Sequence, residues 1–92
     1  MKRILLLPEA YLDLEEAKNY YDEQKEGLGT EFILAVQNSL HEISIHPLQF
    51  QVIYKNDRKC NLHRFPYAVI YKVRKNDIAM KAVAHLMRHP RS

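Results

Sequence analysis

Cysteine occurs once and glycine twice in these 92 residues, and each shortage removes a class of protein from consideration. A lone Cys60 cannot build a disulfide framework, so stapled secreted scaffolds are excluded and a reducing cytoplasm is the expected compartment. No glycine-rich phosphate loop, nucleotide fingerprint, nucleophile elbow or Ser/His/Asp arrangement is present. Long apolar runs are missing too, since nothing approaches the roughly 20 residues of a bilayer span. Met1-Lys2-Arg3 followed by Ile4-Leu5-Leu6-Leu7 starts like a signal peptide. Pro8-Glu9 cuts that run after four apolar residues, short of the roughly 7–15 that a secretory segment needs. What remains, 47% hydrophobic and 27% charged, suits one domain over residues 1–92 with a single core.

Acidic residues are also scarce, but only in the second half. Residues 1–49 hold nine acids and four Lys/Arg, a net of −5, while 50–92 hold ten Lys/Arg against Asp57 and Asp77, a net of +8. The basic half is threaded with Phe65, Tyr67, Val69, Ile70, Tyr71 and Val73, so it folds rather than trailing as a tail. An ordered sheet that concentrates positive charge is a surface suited to polyanions or to an acidic polypeptide. The acids of the first half, Asp13, Glu15, Glu16, Asp22, Glu23 and Glu26, are expected to solvate the outer face of a helix.

The hydrophobic pattern predicts the elements. Ile4 to Leu7 reads as a short buried strand. From Glu9, Ala10, Leu14, Ala17 and Tyr21 form one helical stripe, with Pro8 near the first turn and Gly27-Leu28-Gly29 closing it. A second helix is expected over 30–45, with Phe32, Val36, Leu40 and Ile43 as its stripe and Pro47 as its stop. The link is short, so the helices form an antiparallel hairpin. Strands are expected at 52–54, 59–64, 67–74 and 78–85, with Lys75-Asn76-Asp77 turning the last pair. Tyr67, Val69, Tyr71 and Val73 share one face, read as core rather than as stacking platform. In the last strand Ile78, Met80, Ala82 and Ala84 alternate with Ala79, Lys81, Val83 and His85. The fold class is α+β: an N-terminal strand, a helix hairpin, then an antiparallel meander, in one sheet with both helices on one face. The first strand is expected to join that sheet beside a late one.

These pieces resemble the RelE/ParE superfamily of type II toxin–antitoxin toxins, and within it the ParE-like branch called plasmid stabilisation proteins. Ala10-x-x-Asp13-Leu14-x-x-Ala17-x-x-Tyr20-Tyr21 is similar to the family's first helix, and Gly27-Leu28-Gly29-x-x-Phe32 to its helix–helix turn. Ile43-x-x-x-Pro47 matches the end of the second helix. Arg64-Phe65-Pro66-Tyr67-x-x-x-Tyr71-x-Val73 is the most specific match, followed by Ala82-Val83-x-His85-x-x-Arg88-x-Pro90. Relatives commonly continue a few residues past that last motif, whereas this sequence reaches Ser92. The resemblance implies a growth-inhibiting toxin neutralised by a cognate antitoxin that folds around it. ParE-like members poison DNA gyrase, and RelE-like members cleave messenger RNA on the ribosome. A generic basic RNA-binding module is a further reading, without the ribonucleoprotein strand or glycine-clamp loop that usually marks one.

Candidate residues follow from both arguments. Arg58, Lys59, Arg64, Lys72 and Arg88 make up the expected basic surface for target or antitoxin. On the nuclease reading, Arg64 and Arg88 would hold phosphate, and His85 would transfer a proton between the 2′-OH and the leaving oxygen. The plainer alternatives are an Arg64 that is solvated or paired with an acid of the first helix, a His85 that only hydrogen-bonds backbone, and a frayed Arg88. Cys60-x-x-His63 with His85-x-x-x-His89 has zinc-like residue types, but positions i and i+4 of a strand lie roughly 13 Å apart. No metal and no cofactor are expected.

Overall fold

Leu7 donates its backbone N–H to Met80 O at 3.0 Å, the bond that carries the first strand into the sheet and hands the chain to the first helix. The computed structural model describes residues 2–87. Its elements are β1 (Arg3–Leu6), α1 (Pro8–Gln24), α2 (Leu28–Ile45), β2 (Gln51–Tyr54), β3 (Asp57–Asn61), β4 (Tyr67–Val73) and β5 (Asp77–His85). One sheet runs in the order β1-β5-β4-β3-β2. β1 lies parallel to β5, and every other pairing is antiparallel. Parallel neighbours need a long crossover, which here is the whole helix hairpin and meander. The expected α+β architecture is the one observed.

Pro8 opens α1 because its missing N–H is one that the first turn leaves unbonded anyway. The glycine pair works differently from the expected helix stop. Gly27, at φ 86°, takes the left-handed conformation as the cap of α2, while Gly29 lies inside that helix. α2 therefore starts at Leu28, two residues ahead of the expected Thr30. A Cβ on Gly29 would sit 2.5 Å from the Asp22 carboxyl and 2.5 Å from Lys18 O, so only glycine lets the helices approach this closely. Asp22 accepts from Gly29 N–H at 2.7 Å and from Lys18 Nζ at 2.7 Å. Those two donors, lysine first, hold the Asp22 carboxyl below its ordinary range. Asp22 is thus a clamp between helices and not the solvated charge that its surroundings in the chain suggest.

The core lies between the hairpin and one sheet face. Phe32, Ile43, Tyr71, Ile78 and Met80 are fully buried there. Tyr21, Phe32, Phe65 and Tyr67 form an aromatic cluster, with Phe32 centred 5.1 Å from Tyr67 and 5.3 Å from Phe65. The core reading of Tyr67 and Tyr71 holds: the Tyr71 hydroxyl donates to Pro47 O at 2.7 Å, tying the end of α2 to β4. Burial pushes the Tyr71 hydroxyl up to about 12, against a small opposing pull from Arg58. A phenol whose folded value is raised binds its proton longer in the native state, so stability falls as pH rises from the ordinary value near 10 toward 12. Tyr71→Phe should flatten that alkaline loss while costing about 1 kcal/mol at neutral pH for the missing hydrogen bond. Urea melts at pH 8 and pH 11 check it; an unchanged alkaline slope in the variant would refute the assignment.

Two strands depart from simple alternation. β3 ends at Asn61 instead of reaching Arg64. The chain turns there, with Leu62 N–H bonded to Tyr67 O and Tyr67 N–H to Phe65 O, both at 2.8 Å. β5 contains a bulge: Ile70 faces Ala82 but Tyr71 faces Met80, leaving Lys81 without a partner position. The bulge changes the phase of the strand. Ile78 and Met80 share the helix face with Val83 and His85, while Ala82 and Ala84 face the other way beside Ile70 and Ala68. The expected grouping of Ile78 and Met80 with Ala82 and Ala84 is therefore corrected.

Candidate interaction surface

The face of the sheet turned away from the helices carries Lys59, Ile70, Lys72, Ala82 and Ala84, as the strand registers place them. Lys72 is exposed and Lys59 partly so. Lys81, extruded by the bulge, crosses to Asp57 with Nζ 2.8 Å from the carboxylate. Of the described residues expected there, Lys59 and Lys72 thus lie on this face.

The three arginines expected beside them fare differently. Arg58 lies opposite Tyr71 on the helix side and donates to Leu48 O at 3.1 Å and Phe50 O at 2.7 Å. It fastens the segment after α2 to the sheet. Arg64 stands at the β3–β4 turn with φ 74°, a strained conformation for a residue with a side chain. Its guanidinium meets Glu31 of α2 at 2.7 Å and lies 5.4 Å from the Phe65 ring centre. Its acidic partner comes from the second helix, where the plainer reading placed one on the first. The pair is exposed, so it leaves the guanidinium reachable from solvent. Arg88 lies outside the described residues.

His85 ends β5 opposite Tyr67, with the two rings 4.9 Å apart edge to face. Its Nδ1 accepts from Met87 N–H at 3.0 Å. An Nδ1 that accepts is unprotonated, so neutral His85 carries its hydrogen on Nε2 and offers a donor there. Arg64 and His85 both sit at the end of the sheet where β4 begins and β5 finishes. Of the zinc-like set, Cys60 is buried and His63 is exposed 3.9 Å from Glu42, while His89 lies outside the described residues; among the described residues no three metal-type side chains converge. Burial pushes the Cys60 thiol above its ordinary value, as for an inert core residue.

One concavity of about 850 Å³ wraps the edge of β5 beyond its pairing with β1. Its floor includes Ile70, Ala82 and Ala84, and its α1 wall includes Glu9, Leu12, Asp13, Glu16 and Tyr20. Asp13 accepts from Val83 N–H at 2.9 Å, capping a backbone donor on that strand edge. Leu12 is 61% exposed, Tyr20 44% and Ile53, at the far lip, 43%, an apolar outlay that folding alone does not use. Sequence reasoning missed this groove. Its one signal was Leu12, an apolar residue off the α1 stripe.

No family model matches the chain, and no curated protein matches it in sequence. Its fold is nevertheless found among solved structures. A chain of the chromosomal ParDE TA system from P. aeruginosa superposes with a TM-score of 0.83 at 13% sequence identity. The match covers 94% of this chain and 97% of that one. The fold is therefore that of RelE/ParE proteins.

Proposed function

We propose that this chain is the toxin of a type II toxin–antitoxin pair, of the ParE-like kind, held inactive by a cognate antitoxin and acting on DNA gyrase in the cytoplasm. The observation that carries the reading is an end-to-end fold match, nearly complete for both chains, to a member of a ParDE system. Two features of the surface support it. The groove around β5 leaves Leu12, Tyr20 and Ile53 uncovered, which a wrapping inhibitor would bury. The open face keeps Lys59 and Lys72 for an acidic stretch of the inhibitor or for the target, with Arg64 at one end of the sheet.

The RelE-like nuclease reading stays as the alternative. His85, with Nδ1 accepting from Met87, offers a donor at Nε2 that suits the leaving oxygen rather than the 2′-OH, so this reading needs its base from another residue. Arg64 on Glu31 is likewise engaged in the free chain.

Induction in a sensitive bacterium should arrest growth with filamentation and DNA breaks while transcripts stay whole, and co-expression of the antitoxin should restore growth. Lys59→Glu with Lys72→Glu should relieve the arrest without lowering the melting temperature. Harmless expression counts against the toxin reading, and transcript cuts lost in His85→Ala would move the assignment to the nuclease.

A further inference from the structure

Two turns and the start of the first strand meet at one end of the sheet. Arg3 lies opposite Asp77, while Tyr54, Asp57, Lys72 and Ala79 form one row across neighbouring strands. Beyond that row the β2–β3 turn adds Lys55, and the β4–β5 turn adds Arg74 and Lys75. Lys2 reaches across to bond Arg74 O. The strands contain only two acids, Asp57 and Asp77. Lys81 already meets Asp57. Arg74 grips Asp77 at two points, with Nη2 standing 2.9 Å from Oδ2. That pair, with lesser pulls from Arg3 and Lys2, holds the Asp77 carboxyl below its ordinary range. Lys2, Arg3, Lys55, Lys72 and Lys75 are exposed, and none of them has an ion pair among the described residues. With the Asp57–Lys81 pair set apart, a single carboxylate faces all these cations, and this end outweighs the +3 of the whole chain.

We infer that this end of the sheet binds the phosphate backbone of duplex DNA, with Arg3, Lys55, Lys72 and Lys75 on phosphates and Lys2 and Arg74 bracing the turn beneath them. From β1 to β2 the sheet spans four strand spacings, roughly 19 Å. Over that length one strand of a B-form duplex presents about five phosphates. An acidic polypeptide would need apolar surface to bury. The two turns and the start of β1 expose one large apolar side chain, Tyr54, and Lys55 Nζ lies over its ring at 5.4 Å. One partly covered ring is also little for a flexible single strand to stack on. Contacts to phosphate carry no sequence information, so binding is expected to be independent of sequence. Arg64 and His85 lie at the other end of the sheet, so of the candidate residues described above only Lys72 is shared. The choice of duplex DNA rests on the gyrase reading, since that target works on DNA; the phosphate site rests on the charges alone.

The test follows the fluorescence anisotropy of a labelled duplex of arbitrary sequence with the full chain, from about 50 to 200 mM salt. Four phosphate contacts should weaken binding by roughly 100-fold over that range. Arg3→Gln with Lys75→Gln should shrink that salt effect to about tenfold, and should weaken binding at the lowest salt by about tenfold or more. Both positions are exposed, so the melting temperature should hold. Lys25→Glu makes the same change in net charge at the far end of α1 and should alter affinity by no more than about threefold. No duplex binding at the lowest salt, an undiminished salt effect in the double variant, or an equal loss in Lys25→Glu would each overturn the inference. So would tighter binding of a single-stranded RNA or of a polyglutamate peptide that the double variant weakens. Growth arrest is scored separately. DNA binding by a harmless chain counts against the toxin reading alone, and arrest without DNA binding overturns this inference alone.

Discussion

Phe32→Ala is expected to lower stability by about 3–5 kcal/mol, a large share of what holds a small domain together. Phe32 is fully buried where α1, α2 and the β3–β4 turn converge. Its ring lies 5.4 Å from Tyr21, 5.3 Å from Phe65 and 5.1 Å from Tyr67, so truncation empties the middle of the cluster. None of its neighbours can collapse into the gap without giving up a contact of its own, which places the cost in the upper part of the usual range for a core truncation. The melting temperature should fall by roughly 12 °C or more, since each kcal/mol is worth about 4–8 °C at this size. Phe32→Leu should recover most of the loss. A fall under roughly 5 °C for the alanine variant would mean that the aromatic cluster is peripheral to stability.

Gly29→Ala should destabilise by roughly 1–3 kcal/mol, the cost of overpacking a close approach. The sign is the informative part. In a helix interior, alanine ordinarily gains close to 1 kcal/mol over glycine. Here the added methyl would meet the Asp22 carboxyl and Lys18 O at 2.5 Å, and the second of these is backbone that cannot swing aside. The new methyl also displaces the Asp22 carboxylate from the Gly29 N–H, so that donor loses its partner. Asp22→Ala should lose the clamp without the clash, and the double variant should be more stable than Gly29→Ala combined with the separate Asp22→Ala loss. Denaturant melts of the three variants test this coupling. A neutral or stabilising Gly29→Ala would show that the helices are free to part at this point.

Most of the architecture was legible because its signals are local. The α1 stripe through Ala10 and Ala17 and the α2 stripe through Phe32, Val36 and Ile43 are buried as their spacing predicts. Tyr67, Val69 and Tyr71 face the core for the same reason. Errors arose where a distant partner decides. Nothing in the order of residues 77–85 signals that Lys81 is extruded, because the bulge depends on matching Ile70 and Tyr71 on another strand. Asp13 and Asp22 look like any solvated helix acid until their backbone donors, Val83 and Gly29, arrive from elsewhere.

The candidate site was less legible than the fold. Arg58, Lys59, Arg64 and Lys72 form one basic list in the chain, yet they divide in space. Arg58 secures Leu48 and Phe50, Arg64 meets Glu31, and Lys59 and Lys72 occupy the open face. Side chains of one charge do not reveal which of them a carbonyl or a carboxylate has already engaged.

Residue order alone settled the sequence of elements, the buried stripe of each helix, and the concentration of cations in the second half. Periodicity and composition act over a few residues and need no partner. Tertiary structure alone decided the phase of β5, the employment of Arg58 and Arg64, and the carboxylate-lined groove at the edge of that strand. Those depend on hydrogen bonds and steric matches between segments as many as 70 residues apart, such as Asp13 with Val83, and only the folded chain brings such segments together.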